Sequence, residues 1–149
     1  MDIYIDGDGS PVKDRVISIA NDYGLKVKIV TSIDHYTHKV YPDYVQIVYV
    51  DKGQEMADYR LFALIKVGDI LVTQDYGLAS LVLDKALVIH HTGMIYNKNN
   101  IEALLFQRAQ AKQMRQAGIR TKGPKPFSAR QQAEFDLALR RLIESTIES

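Results

Sequence analysis

At 149 residues, with 46% hydrophobic and 25% charged residues, the chain has the size and composition of one packed soluble domain. It contains no cysteine, which excludes a disulfide framework and any thiolate metal site. Its formal net charge of +1 hides an asymmetry: Met1–Gln107 carries 10 Lys and Arg against 14 Asp and Glu, and residues 108–141 carry 9 against 2.

Ile3–Ile5 reads as a short strand. Ser10 is placed to cap a helix with Pro11 in its first turn, and Val12, Val16, Ile19, Ala20 and Tyr23 share one face until Gly24 stops it. Leu25–Thr31 is a strand, residues 32–43 a polar loop, Val45–Val50 a strand and Lys52-Gly53 a turn. Glu55–Lys66 has helical period, with Met56, Tyr59, Phe62 and Leu64 among the residues of its apolar surface. Then come a strand at Ile70–Thr73, a helix at Leu78–Asp84, a strand at Ala86–His90 and a small ribbon through Thr92-Gly93. A long helix runs from about Asn100 to Ala117. Two prolines and two glycines make residues 118–126 irregular, and Ser128 caps a last helix to about Ile147. Alternating strands and helices over residues 3–90 predict a mainly parallel sheet of about five strands covered on both faces, with two C-terminal helices attached. The whole chain, 1–149, reads as one domain: an α/β core over 1–99 and a helical part over 100–149 with a basic loop at 118–127.

In such sheets, sites form beyond the carboxyl ends of the strands. Asp6 and Asp8 follow the first strand, and Asp75 follows the fourth, after Gln74. Residues i and i+2 of a strand point the same way, and the first and fourth strands are commonly central neighbours, so the three acids are expected to converge. Crowded carboxylates take up protons unless a cation lies between them. A hard divalent ion such as Mg²⁺ suits them, because it accepts a few carboxylates together with water and substrate phosphate. Such an ion activates water and neutralises charge on a phosphodiester. Gly7 and Gly9 allow close approach of the backbone, and N–H groups at the start of the Ser10-Pro11 helix attract anions. Lys13 is placed either to neutralise a phosphate or to lie solvated on the helix. A plainer reading stays open: Asp, Gly, Ser and Pro are turn residues, and Asp75 alone can cap the helix that follows.

Other candidates also have two readings. Thr31, Ser32 and Thr73 end strands and can hydrogen-bond phosphate or water. Tyr36, Tyr41, Tyr44 and Tyr49 can stack on bases or pack around their loop. His35 and His38 lie in a loop. His90 and His91, as strand neighbours, are expected to face opposite ways, which argues against zinc. In "RTKGPKPFSARQ", Arg120, Lys122, Lys125 and Arg130 form either a phosphate grip or a connector pinned by Phe127. An acidic body with a basic C-terminal third fits a polyanionic partner, and also a solvated helix face. No basic segment followed by an apolar stretch opens the chain and no apolar run approaches the ~20 residues of a membrane span, so the expectation is a cytoplasmic protein without membrane contact. Self-association is compatible with the sequence and not derivable from it.

"YIDGDGSPVKD", "DILVTQDYGLA", "TGMIYNKNNI" and "TKGPKPFS" together resemble the bacterial YaiI/YqxD family over nearly the whole chain. That family is similar to PIN-like metal-dependent nuclease domains. The resemblance implies a PIN-like three-layer α/β/α fold whose acidic strand ends hold Mg²⁺ or Mn²⁺ for cleavage of single-stranded RNA. Carried over, Asp6 is the first-strand acid with Asp8 beside it, Asp75 is the acid of the T-x-D strand end, and Asp58, ahead of Glu55, is the helical acid. There are two departures. Ser10 stands where relatives commonly carry cysteine, which excludes a thiol role. Tyr76, Gly77 and Leu78 stand where PIN nucleases often carry a further acid, and the next acid is Asp84. The expected function is a Mg²⁺- or Mn²⁺-dependent phosphodiesterase or ribonuclease acting through Asp6, Asp8, Asp58 and Asp75. One alternative is a phosphatase of the haloacid dehalogenase type, with Asp6 as nucleophile and Asp8 as acid and base, although Gly68-Asp69 precede their strand and no catalytic lysine is evident. Another is a non-catalytic RNA-binding protein.

Overall fold

Ile3 and Ile5 point to one side of the first strand and Tyr4 to the other, and this period-two split organises both hydrophobic layers. The computed structural model describes residues 1–7, 10–118 and 127–148. Strands β1 (Asp2–Asp6), β2 (Lys26–Ser32), β3 (Val45–Val50), β4 (Ile70–Val72) and β5 (Leu87–Ile89) form a wholly parallel five-stranded sheet in the order β3-β2-β1-β4-β5. The helices are α1 (Lys13–Asp22), α2 (Gln54–Leu64), α3 (Tyr76–Val82), α4 (Lys98–Gln116) and α5 (Ala129–Glu148).

On one face, Ile3, Ile5, Val27, Ile29 and Val72 pack against Val16, Ile19 and Ala20 of α1 and Phe135, Leu139 and Ile143 of α5. On the other, Tyr4, Val30, Leu71 and Val88 pack against Ala57 and Leu61 of α2, Leu78 and Val82 of α3 and Ile101 of α4. This is the three-layer α/β/α arrangement expected from the alternation of elements, and it buries both faces of the parallel sheet. Polar contacts clamp α5 beside α1: Arg140 Nη2 lies 2.7 Å from Asp22 Oδ2, Arg15 Nε 3.6 Å from Asp136 Oδ1, and the Tyr23 hydroxyl donates to Glu144. Ser128 caps α5 as expected, its Oγ accepting from the Gln131 N–H at 3.1 Å while Gln131 Oε1 accepts from the Ser128 N–H at 3.0 Å. The ribbon expected at Thr92-Gly93 is also present: Ile89 and Ile95 form an antiparallel bridge.

Two local expectations change. Helix α1 begins at Lys13 with Val12 as its cap residue and no side-chain cap, because Pro11 and Val12 form a turn that leaves Ser10 too far upstream to reach the first amides. On α2 the buried stripe is Ala57 and Leu61, continued by Ile65, whereas Met56, Tyr59 and Phe62 are 42%, 67% and 45% exposed. The helix is apolar on both sides, and the side carrying the small Ala57 is the one that seats against the sheet.

Phe135 is fully buried between α5 and the sheet. Truncation to alanine is expected to lower stability by about 3–5 kcal/mol, read as a shift of the urea midpoint. Leu137→Ala, on the exposed side of the same helix, should change it by less than about 1 kcal/mol.

Candidate active site

Strands β1 and β4 pair with Ile3 opposite Ile70, Tyr4 opposite Leu71 and Ile5 opposite Val72. One step further along that register brings Asp6 opposite Thr73, and the Thr73 hydroxyl donates to Asp6 Oδ2 at 2.9 Å. The same hydroxyl oxygen accepts from the Asp75 N–H at 3.0 Å, so its proton is directed at Asp6. Thr73 is itself fixed by its backbone. Its N–H donates to the Ile89 carbonyl at 3.1 Å, and its carbonyl accepts from the buried Tyr96 hydroxyl at 3.1 Å. On the other side of β1, the Gly7 N–H donates to the Val30 carbonyl at 2.9 Å. A Cβ at Gly7 would lie 2.9 Å from Ile29 Cγ2 and 3.1 Å from that carbonyl oxygen, so only glycine lets the chain leave Asp6 this close to β2.

This is where the strand order reverses: β1 leads to β2 and β3 on one side, and β4 leads to β5 on the other. Ligand sites of open α/β sheets form in that crevice. Here it opens into a cleft of about 1020 Å³ lined by Asp6, Ser10, Thr73 and Asp75 from the strand ends, Glu55 and Asp58 from α2, and Arg108 from α4. Asp75 is the cap of α3, its Oδ1 accepting from the N–H groups of Gly77 and Leu78 at 2.9 and 3.2 Å, with Arg108 Nη1 at 3.4 Å. The capping reading and the cleft reading of Asp75 therefore hold together, and the engaged oxygen is Oδ1. Asp8, Arg120, Lys122 and Lys125 lie outside the described residues. Among the described residues no group of three His, Asp or Glu is close enough to hold a metal ion. Neither Lys13 nor Arg130 lines the cleft, and Arg130 pairs with Glu134 along α5 at 3.2 Å. The loop tyrosines also lie away from it. Tyr44 donates to the Ile17 carbonyl, Tyr49 accepts from the Thr37 N–H, and Tyr36 packs on Tyr49. Asp69 is buried at the opposite end of β4, where the N–H groups of Asp2 and Lys66 bind it, so it belongs to the far edge of the sheet.

His90 and His91 do not face opposite ways. Strand β5 ends at Ile89, and in the turn beyond it the two rings stack with centroids 4.1 Å apart. Burial pushes the His90 imidazole down to about 4, with His91 beside it adding to the effect, and burial lowers His91 too. Both rings are neutral at pH 7 and add no positive charge to the cleft that His91 lines. Burial, with Tyr76 and Asp75 nearby, raises the Tyr96 phenol, so it stays a donor to Thr73. Sequence reasoning missed Tyr96 and Arg108, and named His91 without placing it at the cleft. The available signal for Arg108 was a run of α4 without acids after Glu102.

A family model described as "Uncharacterized BCR, YaiI/YqxD family" matches residues 4–145. The chain belongs to the YaiI/YqxD family. It is 53% identical over 148 residues to a UPF0178 protein of Enterococcus faecalis, covering 99% of this chain and 100% of that one. It is 44% identical over 142 residues to UPF0178 proteins of Staphylococcus aureus strains MRSA252 and Newman, covering 95% of this chain and 93% of each. No solved structure matches it. Among the described residues no helix is long and apolar enough to cross a membrane.

The stretches that carry the YaiI/YqxD resemblance meet around Thr73. The first supplies Asp6, the second Thr73 and Asp75, and the third Tyr96. In the third, Gly93 has φ +95°, and a Cβ there would lie 3.1 Å from Ala138 Cβ, so the ribbon tip needs glycine to seat on α5. The fourth stretch reaches the described residues at Phe127, whose ring meets His91 edge-on at 5.3 Å.

A His whose folded pKa lies below its unfolded value of about 6.5 leaves stability intact above that pH and removes it as the unfolded chain takes up the proton first. Wild type should therefore lose more stability than His90→Gln between pH 6.5 and about 4, measured by urea titration across that range.

Proposed function

We propose that this protein is a Mg²⁺- or Mn²⁺-assisted phosphodiester hydrolase acting on single-stranded nucleic acid, with a PIN-like arrangement of acids. The observation that carries the reading is the Asp6 carboxylate, aimed by the Thr73 hydroxyl at the reversal point of the strand order, inside a cleft that also takes Asp58, Glu55 and Asp75. The donor set fits the ion class. Its carboxylates offer oxygen, and a small hard cation needs just one or two of them, with water and phosphate oxygens completing its shell. Asp6 is the ligand best supported; Asp58 and the Oδ2 of Asp75 are the candidates beside it. When bound, such an ion supplies charge neutralisation at the phosphate and a more acidic water.

The chain's own residues supply the rest. Thr73, held at its N–H, carbonyl and hydroxyl, orients the Asp6 carboxylate and keeps it in an acceptor role. Arg108, weakly paired at 3.4 Å and with its side chain 56% exposed, is placed to turn from Asp75 to a phosphate oxygen. Leu78 and Val72 close the floor and limit water behind the carboxylates.

Wild type incubated with Mn²⁺ is expected to cut a labelled single-stranded RNA. Asp6→Asn should reduce the rate at least about a hundredfold and Thr73→Val about tenfold or more. Product gels over time read both. Cleavage that survives Asp6→Asn, or that needs no divalent ion, contradicts the reading. Binding of RNA without cleavage favours a non-catalytic module. Release of phosphate from small monoesters, with an adduct on Asp6, favours a phosphatase.

A further inference from the structure

The basic character of the C-terminal third divides once the ion pairs are assigned. On α5, Arg140 pairs with Asp22 and Arg130 with Glu134. On α4 the arrangement differs. Arg108, Lys112 and Arg115 recur at i, i+4 and i+7, so they share one helix face, and all three are exposed. No acid follows Glu102 in this helix, and neither Lys112 nor Arg115 has an ion pair among the described residues. Like charges at these spacings destabilise a helix. Arg115 is compensated by the helix C-terminus, whereas Lys112 lies mid-helix without that compensation.

The stripe enters the cleft at Arg108, the only Lys or Arg among the described residues that line it. Gly77 leaves open space beside that guanidinium: a Cβ there would lie 2.9 Å from Arg108 Nη1, a contact the flexible side chain relieves by turning away. Past α3, the helix that contacts both α2 and α4, the cleft is walled by Tyr59 and Phe62 of α2, 67% and 45% exposed. Lys85 Nζ lies 4.3 Å from the Phe62 ring centroid and donates to the Phe62 backbone carbonyl, which sets a positive charge beside the ring.

We propose that the cleft and this face of α4 form one path for a single-stranded nucleic acid. Backbone phosphates lie on Arg108, Lys112 and Arg115, and unpaired bases stack on Tyr59 and Phe62. At a rise of about 1.5 Å per residue the three cations span roughly 10 Å, enough to track a backbone without reading its sequence. A single strand offers charge and flat apolar faces together. An acidic peptide offers charge without those faces, and a duplex hides its bases. The choice of occupant rests on the phosphodiester reading above.

The test is fluorescence anisotropy of a labelled single-stranded RNA in EDTA, so that binding is read without turnover. The triple variant Arg108→Gln, Lys112→Gln, Arg115→Gln is expected to bind at least about tenfold more weakly, and its slope of log affinity against log salt should be shallower by about 2. Tyr59→Ala with Phe62→Ala should weaken binding at least about thirtyfold with the slope unchanged. The triple variant should melt no lower than wild type, since like charges along α4 are removed, and the aromatic variant should keep the wild-type far-UV spectrum, which shows that it is folded. Wild-type affinity and slope in the triple variant, equal binding of duplex RNA, equal competition by polyglutamate, or no binding by wild type each overturn the path. Failure of Mn²⁺-dependent cleavage with these binding losses intact would remove the hydrolase and leave the path. Cleavage by wild type with undiminished binding in the triple variant would do the reverse.

Discussion

The hydroxyl of Thr73 is the contact on which the rest of the cleft depends. It gives its proton to Asp6 and takes one from the Asp75 amide, so a single buried oxygen sets the geometry of two strand ends. Its own position is fixed by the β5 carbonyl of Ile89 and by the hydroxyl of Tyr96. Thr73 is thus a fixed contact that helps orient the Asp6 carboxylate. In this arrangement the cost of ordering the carboxylate is met during folding, before any ligand arrives.

The electrostatics of the cleft follow from burial as much as from composition. Its described lining carries four acids and one arginine, and burial disfavours a proton on the histidine beside them. Positive charge is exported instead to the exposed face of α4, where Lys112 and Arg115 extend away from Arg108. An acidic centre with a basic approach creates fields of opposite sign side by side, and the proposed reading assigns the first to a cation and the second to a polyanion. Neither the net charge of +1 nor the excess of basic residues beyond Gln107 reveals that division, because two of the three arginines of α5, Arg130 and Arg140, pair with Glu134 and Asp22.

The layered fold was legible because its signals are local. Alternation in Ile3-Tyr4-Ile5, the helical spacing of Val12, Val16 and Ile19, and the Ser128 cap each specify their element without help from distant residues. The acids at the strand ends were legible for the same reason, since Asp6 ends the first apolar strand and Asp75 lies three residues beyond Val72, the end of the fourth. What the sequence could not supply was choice between equivalent local solutions. Helix α2 has two apolar sides, and only packing against Val30 and Tyr4 selects Ala57 and Leu61 over Met56, Tyr59 and Phe62. Ser10 looked like a cap until the Pro11-Val12 turn moved the helix start to Lys13. His90 and His91 looked like opposed strand residues, but β5 ends one residue earlier. Arg108 and Tyr96 lie more than twenty residues beyond Thr73 in the chain, and no periodicity links residues that meet only through the sheet.

An anomalous difference map from a crystal soaked in Mn²⁺ tests the central claim most directly. A peak in the cleft bonded to the Asp6 carboxylate is expected, with no such peak in Asp6→Asn. A map with no peak there, or with manganese bound only elsewhere on the molecule, would contradict it.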